Sequence, residues 1–108
     1  MSAGILVDSS TIIRCRANNN GGNGIRATYS TIAECITKFN GEHGIYAART
    51  SQISENCLTE NGEYGLYLDP NNNYAIKNGA ADNTGGAFYS QGPNNYLPTS
   101  GDDANYEF

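Results

Sequence analysis

The sequence has no tryptophan and few of the leucine, lysine and glutamate residues that favour helices. Residues that favour turns are abundant instead, asparagine and glycine above all, with 13 glycines in 108 residues. Such a composition is typical either of a disordered chain or of a protein built from many short strands. Apolar and aromatic residues recur at regular intervals, which argues against disorder.

The chain also lacks the features of nucleic-acid-binding and membrane proteins. Lys and Arg total six, never cluster, and leave a formal net charge of -5, so no nucleic-acid partner is expected. No apolar run approaches the roughly 20 residues of a membrane-spanning helix, so no membrane partner is expected either. No signal peptide is recognisable, which predicts a cytoplasmic protein as written, or an extracellular one if the chain is a fragment of a secreted parent.

A repeat of about 20 residues runs through most of the chain, and each copy begins at Gly4-Ile5, Gly24-Ile25, Gly44-Ile45 or Gly65-Leu66. Apolar residues two positions apart recur within the copies, and a step of two is the periodicity of a strand. We predict a first strand after each starting glycine and a second strand over residues 12–17. A turn follows, where an asparagine ladder is expected from Asn20, Asn40, Asn61 and Asn83.

One coil per repeat fits this period best, with each strand pairing in parallel with its copies in the neighbouring coils. Hairpins would show strand pairs joined by two-residue loops, and these are absent. The Leu-x-x-Leu-x-Leu core of leucine-rich repeats is absent too. The predicted fold is therefore all-β, a parallel β-helix of about four coils.

The pattern Gly-Ile-x-(Ala/Val/Leu), followed by Asn-Gly-x-x-Gly at the end of the copy, covers Gly4 to about Gly86. It resembles the right-handed parallel β-helix repeat of the pectate-lyase-like superfamily, in its C-terminal portion. The resemblance implies right-handed winding. We assign residues 1–86 to the coils and residues 87–108 to an irregular C-terminal capping segment of the same domain, since a solenoid must cover its last coil.

The first coil begins within three residues of the start and has no cap. We therefore expect either a longer parent protein or a homo-oligomer that buries the edge of this coil.

Alternation places Leu6, Arg26, Tyr46 and Tyr67 on the outer side of the first strands. Exposed aromatic rings near a guanidinium suit both sugar rings and protein surfaces. Arg26, Tyr46 and Tyr67 are therefore the candidate binding face, with polysaccharide or protein as the partner. The competing interpretation is ordinary cross-strand stacking that only stabilises the sheet.

Glu34 and Glu55 occupy one column in adjacent coils and are weaker candidates. They could act as an acid and base pair with one raised pKa. The alternative, which we favour, is an exposed charge ladder in which Arg14 and Lys77 flank the two glutamates.

Glu42, His43 and Glu63 meet at the turn before the third and fourth starting glycines. These side chains could bind a cation or move a proton, but solvated turn residues are the favoured interpretation. The three cysteines supply no zinc-ligand spacing and read as free thiols. We predict no catalytic residue, no metal and no cofactor.

Two functions remain open. The favoured one is a non-enzymatic module for carbohydrate or protein binding or for self-assembly, because about four coils are short and no concave acidic cluster is expected. The alternative, implied by the resemblance, is the C-terminal fragment of a polysaccharide lyase, glycoside hydrolase or epimerase whose active site lies in upstream coils.

Overall fold

The computed structural model describes residues 3–108, so Met1 and Ser2 of the predicted coil region lie outside the described residues. These residues form fourteen strands and no helix, which confirms the all-β prediction, and they therefore contain no helix able to cross a membrane. The strands are β1 (Ile5–Asp8), β2 (Thr11–Ile13), β3 (Arg16–Asn18), β4 (Ile25–Thr28), β5 (Thr31–Ala33), β6 (Ile36–Lys38), β7 (Ile45–Ala48), β8 (Gln52–Ser54), β9 (Cys57–Thr59), β10 (Tyr64–Leu68), β11 (Tyr74–Ile76), β12 (Gly79–Ala81), β13 (Gly86–Ser90) and β14 (Tyr106–Glu107).

The strands stack into three parallel sheets, and each regular coil contributes one strand to each sheet. The first sheet has the order β1-β4-β7-β10-β13, the second β2-β5-β8-β11, and the third β3-β6-β9-β12-β14. Ile5 pairs with Ile25, and Ile25 pairs with Ile45, so each coil lies in register on its predecessor. The predicted parallel β-helix of about four coils is confirmed.

The prediction of a single second strand over residues 12–17 is wrong. The chain turns a corner at Arg14, whose φ is 56°, and this corner separates β2 from β3. Ser9 (φ 53°) and Asn19 (φ 61°) make the other two corners of the first coil in the same left-handed conformation. Three such corners per coil convert a flat ribbon into a triangular winding.

The residue after each left-handed corner turns inward and accepts a backbone N–H from the preceding coil. The expected asparagine ladder is present, since Asn40 Oδ1 accepts the N–H of Asn20 at 3.1 Å. The other two corners have equivalent ladders that the sequence analysis did not predict. The three columns are Ser10/Ser30/Ser51/Asn73/Asn95, Cys15/Cys35/Asn56/Asn78/Asn105 and Asn20/Asn40/Asn61/Asn83.

Aliphatic side chains from all three sheets fill the interior between these ladders. Ile25, Ile45 and Leu66 of the first sheet are completely buried, as are Ile32 of the second sheet and Leu58 of the third. Burial of apolar surface on this scale is the main stabilising contribution to the fold. The core therefore runs as a continuous column along the axis of the solenoid.

Residues 86–108 pass once more over all three sheets, in longer steps than the regular coils. β13 pairs with β10, Tyr96 bridges to Tyr74, and β14 pairs with β12. Phe88 and Leu97 from this segment pack against the core. The division of the chain at residue 86 stays a prediction.

Candidate functional site

The outer side of the first sheet carries one arginine, one histidine and four tyrosines in close contact. We call this surface the aromatic face. None of its members belongs to the apolar core, so core burial does not explain their presence. The aromatic face consists of Arg26, His43, Tyr46, Tyr64, Tyr67 and Tyr89.

A single column of this face runs along the solenoid axis through four coils. The ring centroids of Tyr46 and Tyr67 are 5.0 Å apart with an interplanar angle of 11°. Tyr67 and Tyr89 repeat the 5.0 Å spacing at 27°, and the guanidinium carbon of Arg26 lies 5.1 Å from the ring centroid of Tyr46. Strand register explains the column, because Arg26 pairs with Tyr46, Tyr46 with Tyr67, and Tyr67 with Tyr89.

This stacking decides which parts of the rings a ligand can reach. Nearly parallel rings at this spacing overlap in the offset-stacked arrangement, so Tyr67 is covered on one side by Tyr46 and on the other by Tyr89. Arg26 covers the remaining side of Tyr46. The column therefore presents mainly ring edges and phenol oxygens to solvent. Tyr89, on the last strand of the sheet and 40% exposed, has aromatic neighbours only from the preceding coil among residues 3–108.

His43 and Tyr64 form a second row beside the column. The ring centroid of His43 lies 4.6 Å from that of Tyr67 and 5.8 Å from that of Tyr64. Tyr64 in turn stacks on Tyr89 at 5.2 Å. The two rows hold each other in place, which leaves the face with little rotamer freedom.

Two groups of the face have perturbed acidities. Burial lowers the pKa of His43, and the carboxylates of Glu63 and Glu42 only partly oppose this effect. Burial, followed by the neighbouring phenols of Tyr46 and Tyr89, raises the pKa of Tyr67. The Tyr67 hydroxyl also contacts Gln91 Oε1 at 3.1 Å, to which it donates.

The weaker candidates Glu34 and Glu55 lie at exposed convex corners, away from the aromatic face. Both residues have left-handed backbones, with φ values of 54° and 57°. Glu34 Oε1 lies 3.3 Å from Nε of Arg14, whose side chain is 77% exposed. This pair matches the first contact of the expected charge ladder, and a surface ion pair of this kind contributes little to stability.

The structure brings together the weaker candidates of the turn, Glu42, His43 and Glu63. Glu63 Oε1 lies 3.3 Å from Nε2 of His43, and the N–H of Glu63 donates to the carbonyl of Glu42 in the coil below. Within residues 3–108, no group of three or more His, Cys, Asp or Glu side chains is arranged to hold a metal ion.

A shallow groove of about 710 Å³ runs along the corner between the third and first sheets. No concave acidic cluster was expected, yet Glu60 and Asp82 both line this groove beside the exposed ring of Phe39. The Glu60 carboxylate forms an ion pair with Lys38, since its Oε1 lies 3.4 Å from Nζ of that residue. The floor follows the glycine column of Gly21, Gly41 and Gly62.

Comparison with known proteins agrees with this architecture. A family model described as right handed beta helix region matches residues 2–81. The chain belongs to this family. No curated protein and no solved structure matches it significantly. Membership of the right-handed β-helix family gives the handedness of the winding and accounts for the repeat.

Sequence reasoning placed Arg26, Tyr46 and Tyr67 in one column of this β-helix, and the structure brings them together there. It missed Tyr64 and Tyr89 as members of the same surface. The signal for Tyr89 was present, because Phe88-Tyr89 follows Leu66-Tyr67 at the repeat period of 22 residues. The expected repeat stops at Gly86 because Ala87 stands where the earlier copies have their starting glycine.

Proposed function

We propose that this chain is a non-enzymatic β-helix module that binds carbohydrate through the aromatic face. The observation that carries the proposal is the aromatic column itself, which crosses four coils on the outside of the fold. Amphipathic tyrosine rings, with an apolar body and a polar tip, suit a ligand that offers both C–H surfaces and hydroxyl groups. A polysaccharide lying along the solenoid axis would meet Arg26 in one coil and one tyrosine of the column in each of the next three.

Tyr89, at the end of the column, offers a position where a sugar ring could stack. A sugar ring stacks on the flat side of an aromatic ring, and those sides are covered for Tyr46 and Tyr67. Tyr89 is the member whose outer side meets no other aromatic ring from residues 3–108. We therefore assign the stacking contact to Tyr89 and edge contacts to the other tyrosines.

Replacing Tyr89 by alanine is expected to weaken polysaccharide binding about tenfold, the equivalent of one lost aromatic contact. The measurement is retention of the protein on a panel of immobilised neutral and acidic polysaccharides. Tyr96→Ala is the matched control, with an expected change of no more than about twofold, because Tyr96 is an exposed tyrosine that bridges to Tyr74 on the second sheet, away from the aromatic face. Circular dichroism of both variants checks that the β-helix is intact.

Failure of every polysaccharide in the panel to retain the wild-type protein would contradict carbohydrate binding. Unchanged retention of Tyr89→Ala would remove the assigned stacking position.

A protein partner is the second candidate, and the covered ring faces favour it. Tyrosine and arginine are enriched at interface hot spots, and immobilised rings bind at a low entropic cost. Contact through ring edges would involve the whole column. A protein partner would therefore lose affinity with Tyr46→Ala and Tyr67→Ala as much as with Tyr89→Ala, a pattern different from that expected for a sugar.

We also propose that copies of the chain associate through the first coil. β1, β2 and β3 each pair on one side only among the described residues, and Leu6 is 72% exposed. Unpaired strand edges bind other edges readily. Sedimentation at high concentration should show dimers or larger species, and a strictly monomeric particle would contradict this assignment.

A further inference from the structure

His43 is the chain's one histidine, and it sits at the centre of the aromatic face. Only 12% of its side chain is exposed. The imidazole contacts the rings of Tyr46, Tyr64 and Tyr67, with centroid distances of 6.1, 5.8 and 4.6 Å. A residue in this position can influence both rows of the face at once.

The imidazole also replaces an amide in a short side-chain ladder. In the coil below, Asn23 Oδ1 accepts the backbone N–H of His43 at 3.0 Å. One coil higher, His43 Nδ1 accepts the backbone N–H of Tyr64 at 3.1 Å. Nδ1 can accept only while it carries no proton, so the neutral ring must carry its hydrogen on Nε2. That nitrogen lies 3.3 Å from Glu63 Oε1.

Protonation gives the His43 ring a second N–H hydrogen, this one on Nδ1, where it faces the N–H of Tyr64. Two donors cannot share this contact, so the hydrogen bond is lost and the ring has to turn or move. The ring cannot move without disturbing its stacking on Tyr64 and Tyr67.

The surroundings of His43 have opposing effects on its pKa. Glu63 from the next coil and Glu42 from the same turn favour the protonated form, whereas burial of the ring disfavours it more strongly and keeps the pKa below its ordinary value. The other titratable groups that face the ring are the phenols of Tyr46, Tyr64 and Tyr67.

We propose that His43 is a pH-sensitive positioning residue of the aromatic face. In its neutral form it holds Tyr64 and Tyr67 in the stacked arrangement, and its protonation releases them and weakens ligand binding. The part that concerns ligand binding rests on the proposed function; the part that concerns the tyrosines does not.

The lowered pKa of His43 also fixes the direction in which its contribution to stability changes with pH. A histidine whose folded-state pKa lies below its unfolded value of about 6.5 binds more protons in the unfolded chain. Its contribution to stability is therefore present above about pH 6.5, declines as the pH falls through that value, and is lost below the folded-state pKa.

Spectroscopy tests the first part without any ligand. Nitrogen NMR of the single imidazole should show an unprotonated Nδ1 near neutral pH. Near-ultraviolet circular dichroism reports the tyrosines, since the chain has no tryptophan. Its signal should fall as the pH is lowered below about 6.5, the ordinary value for a histidine, because burial lowers the pKa of His43. The far-ultraviolet signal should stay constant.

The control variant is His43→Asn, because Asn23 already shows an amide accepting the equivalent N–H. Its near-ultraviolet signal should be independent of pH over this range. A proton on Nδ1 at neutral pH, a constant wild-type signal, or the same pH dependence in His43→Asn would each overturn the proposal.

The second part is tested with the polysaccharide that retains the wild-type protein at neutral pH. Retention should be about fivefold weaker at low pH, the equivalent of one lost hydrogen bond, and it should not change with pH in His43→Asn. Retention that is independent of pH would overturn the binding part and leave the proposed function intact. If no polysaccharide retains the protein, the proposed function and this binding part fail together, and the spectroscopic result still decides the role of His43.

Discussion

Replacing Asn78 by leucine is expected to lower the free energy of unfolding by about 4 kcal/mol, because two to four buried polar groups lose their partners at roughly 1–3 kcal/mol each. Asn78 is completely buried. Its Oδ1 accepts the backbone N–H of Asn56 at 3.1 Å and the Asn56 amide at 2.9 Å. Its Nδ2 donates to the carbonyl of Ile53 at 3.0 Å and to Asn105 Oδ1 at 2.8 Å. Leucine fills a similar volume and replaces none of these bonds.

Urea unfolding followed by far-ultraviolet circular dichroism measures this loss. Asn94→Leu is the control, since Asn94 is an exposed loop residue and its replacement should change stability by less than about 0.5 kcal/mol. A loss below about 1 kcal/mol for Asn78→Leu, the net value of a single ordinary hydrogen bond, would show that the ladders contribute little to this fold.

The coil register could be predicted from the sequence because it depends on side-chain burial alone. Ile5, Ile25 and Ile45 follow the starting glycine in successive copies, and a slip by one residue would turn the whole column outward. The corner at Arg14 was harder to predict. A left-handed conformation is uncommon for arginine and glutamate, so neither Arg14 nor Glu34 carries a local turn signal. The odd step of three from Ile12 to Cys15 was the available sign, since a continuous strand alternates in steps of two.

The candidate site was predictable only to the level of its column. Alternation is sufficient to place Arg26, Tyr46 and Tyr67 on one outer surface, because the period of a strand is fixed. Which faces of the rings cover one another depends on the side-chain rotamers, and residue spacing along a strand does not predict rotamers. The role of His43 depends on the path of the turn that carries it, where Nδ1 meets the N–H of Tyr64.

The irregular last coil also limited prediction of the site. Tyr89 completes the column from β13, a strand that pairs in register although its copy has lost the starting glycine and the usual coil length. Parallel pairing with β10 overrides these local departures because the edge of a sheet offers unpaired backbone groups. Sequence patterns weaken at the ends of solenoids for this reason, and functional residues there are easily missed.

Gly44→Ala is expected to lower the free energy of unfolding by about 3 kcal/mol or more, at the upper end of what overpacking costs. A Cβ atom on Gly44 would lie 2.6 Å from the carbonyl oxygen of Gly65, 2.8 Å from Nδ2 of Asn61, and in contact with Oγ1 of Thr37. The first of these is backbone of the next coil, which parallel pairing fixes in place. The second belongs to the asparagine ladder, so relief of the clash breaks a buried hydrogen bond.

Thr37 allows a specific test of the Gly44 prediction. Its hydroxyl is buried and has no hydrogen-bond partner among the described residues, so removing the hydroxyl breaks no hydrogen bond to them. Thr37→Ala removes one of the three atoms that a new Cβ on Gly44 would meet. The double variant Thr37→Ala/Gly44→Ala should therefore lose less stability than the sum of the two single variants, by about 1 kcal/mol of coupling in a double-mutant cycle. Gly85→Ala is the comparison variant with the milder clash, since its Cβ would approach the backbone of Glu63 to 3.0 Å, and its loss of stability should be smaller. Equal losses for Gly44→Ala and Gly85→Ala, or strict additivity with Thr37→Ala, would show that close backbone approach between coils is not what requires glycine at position 44.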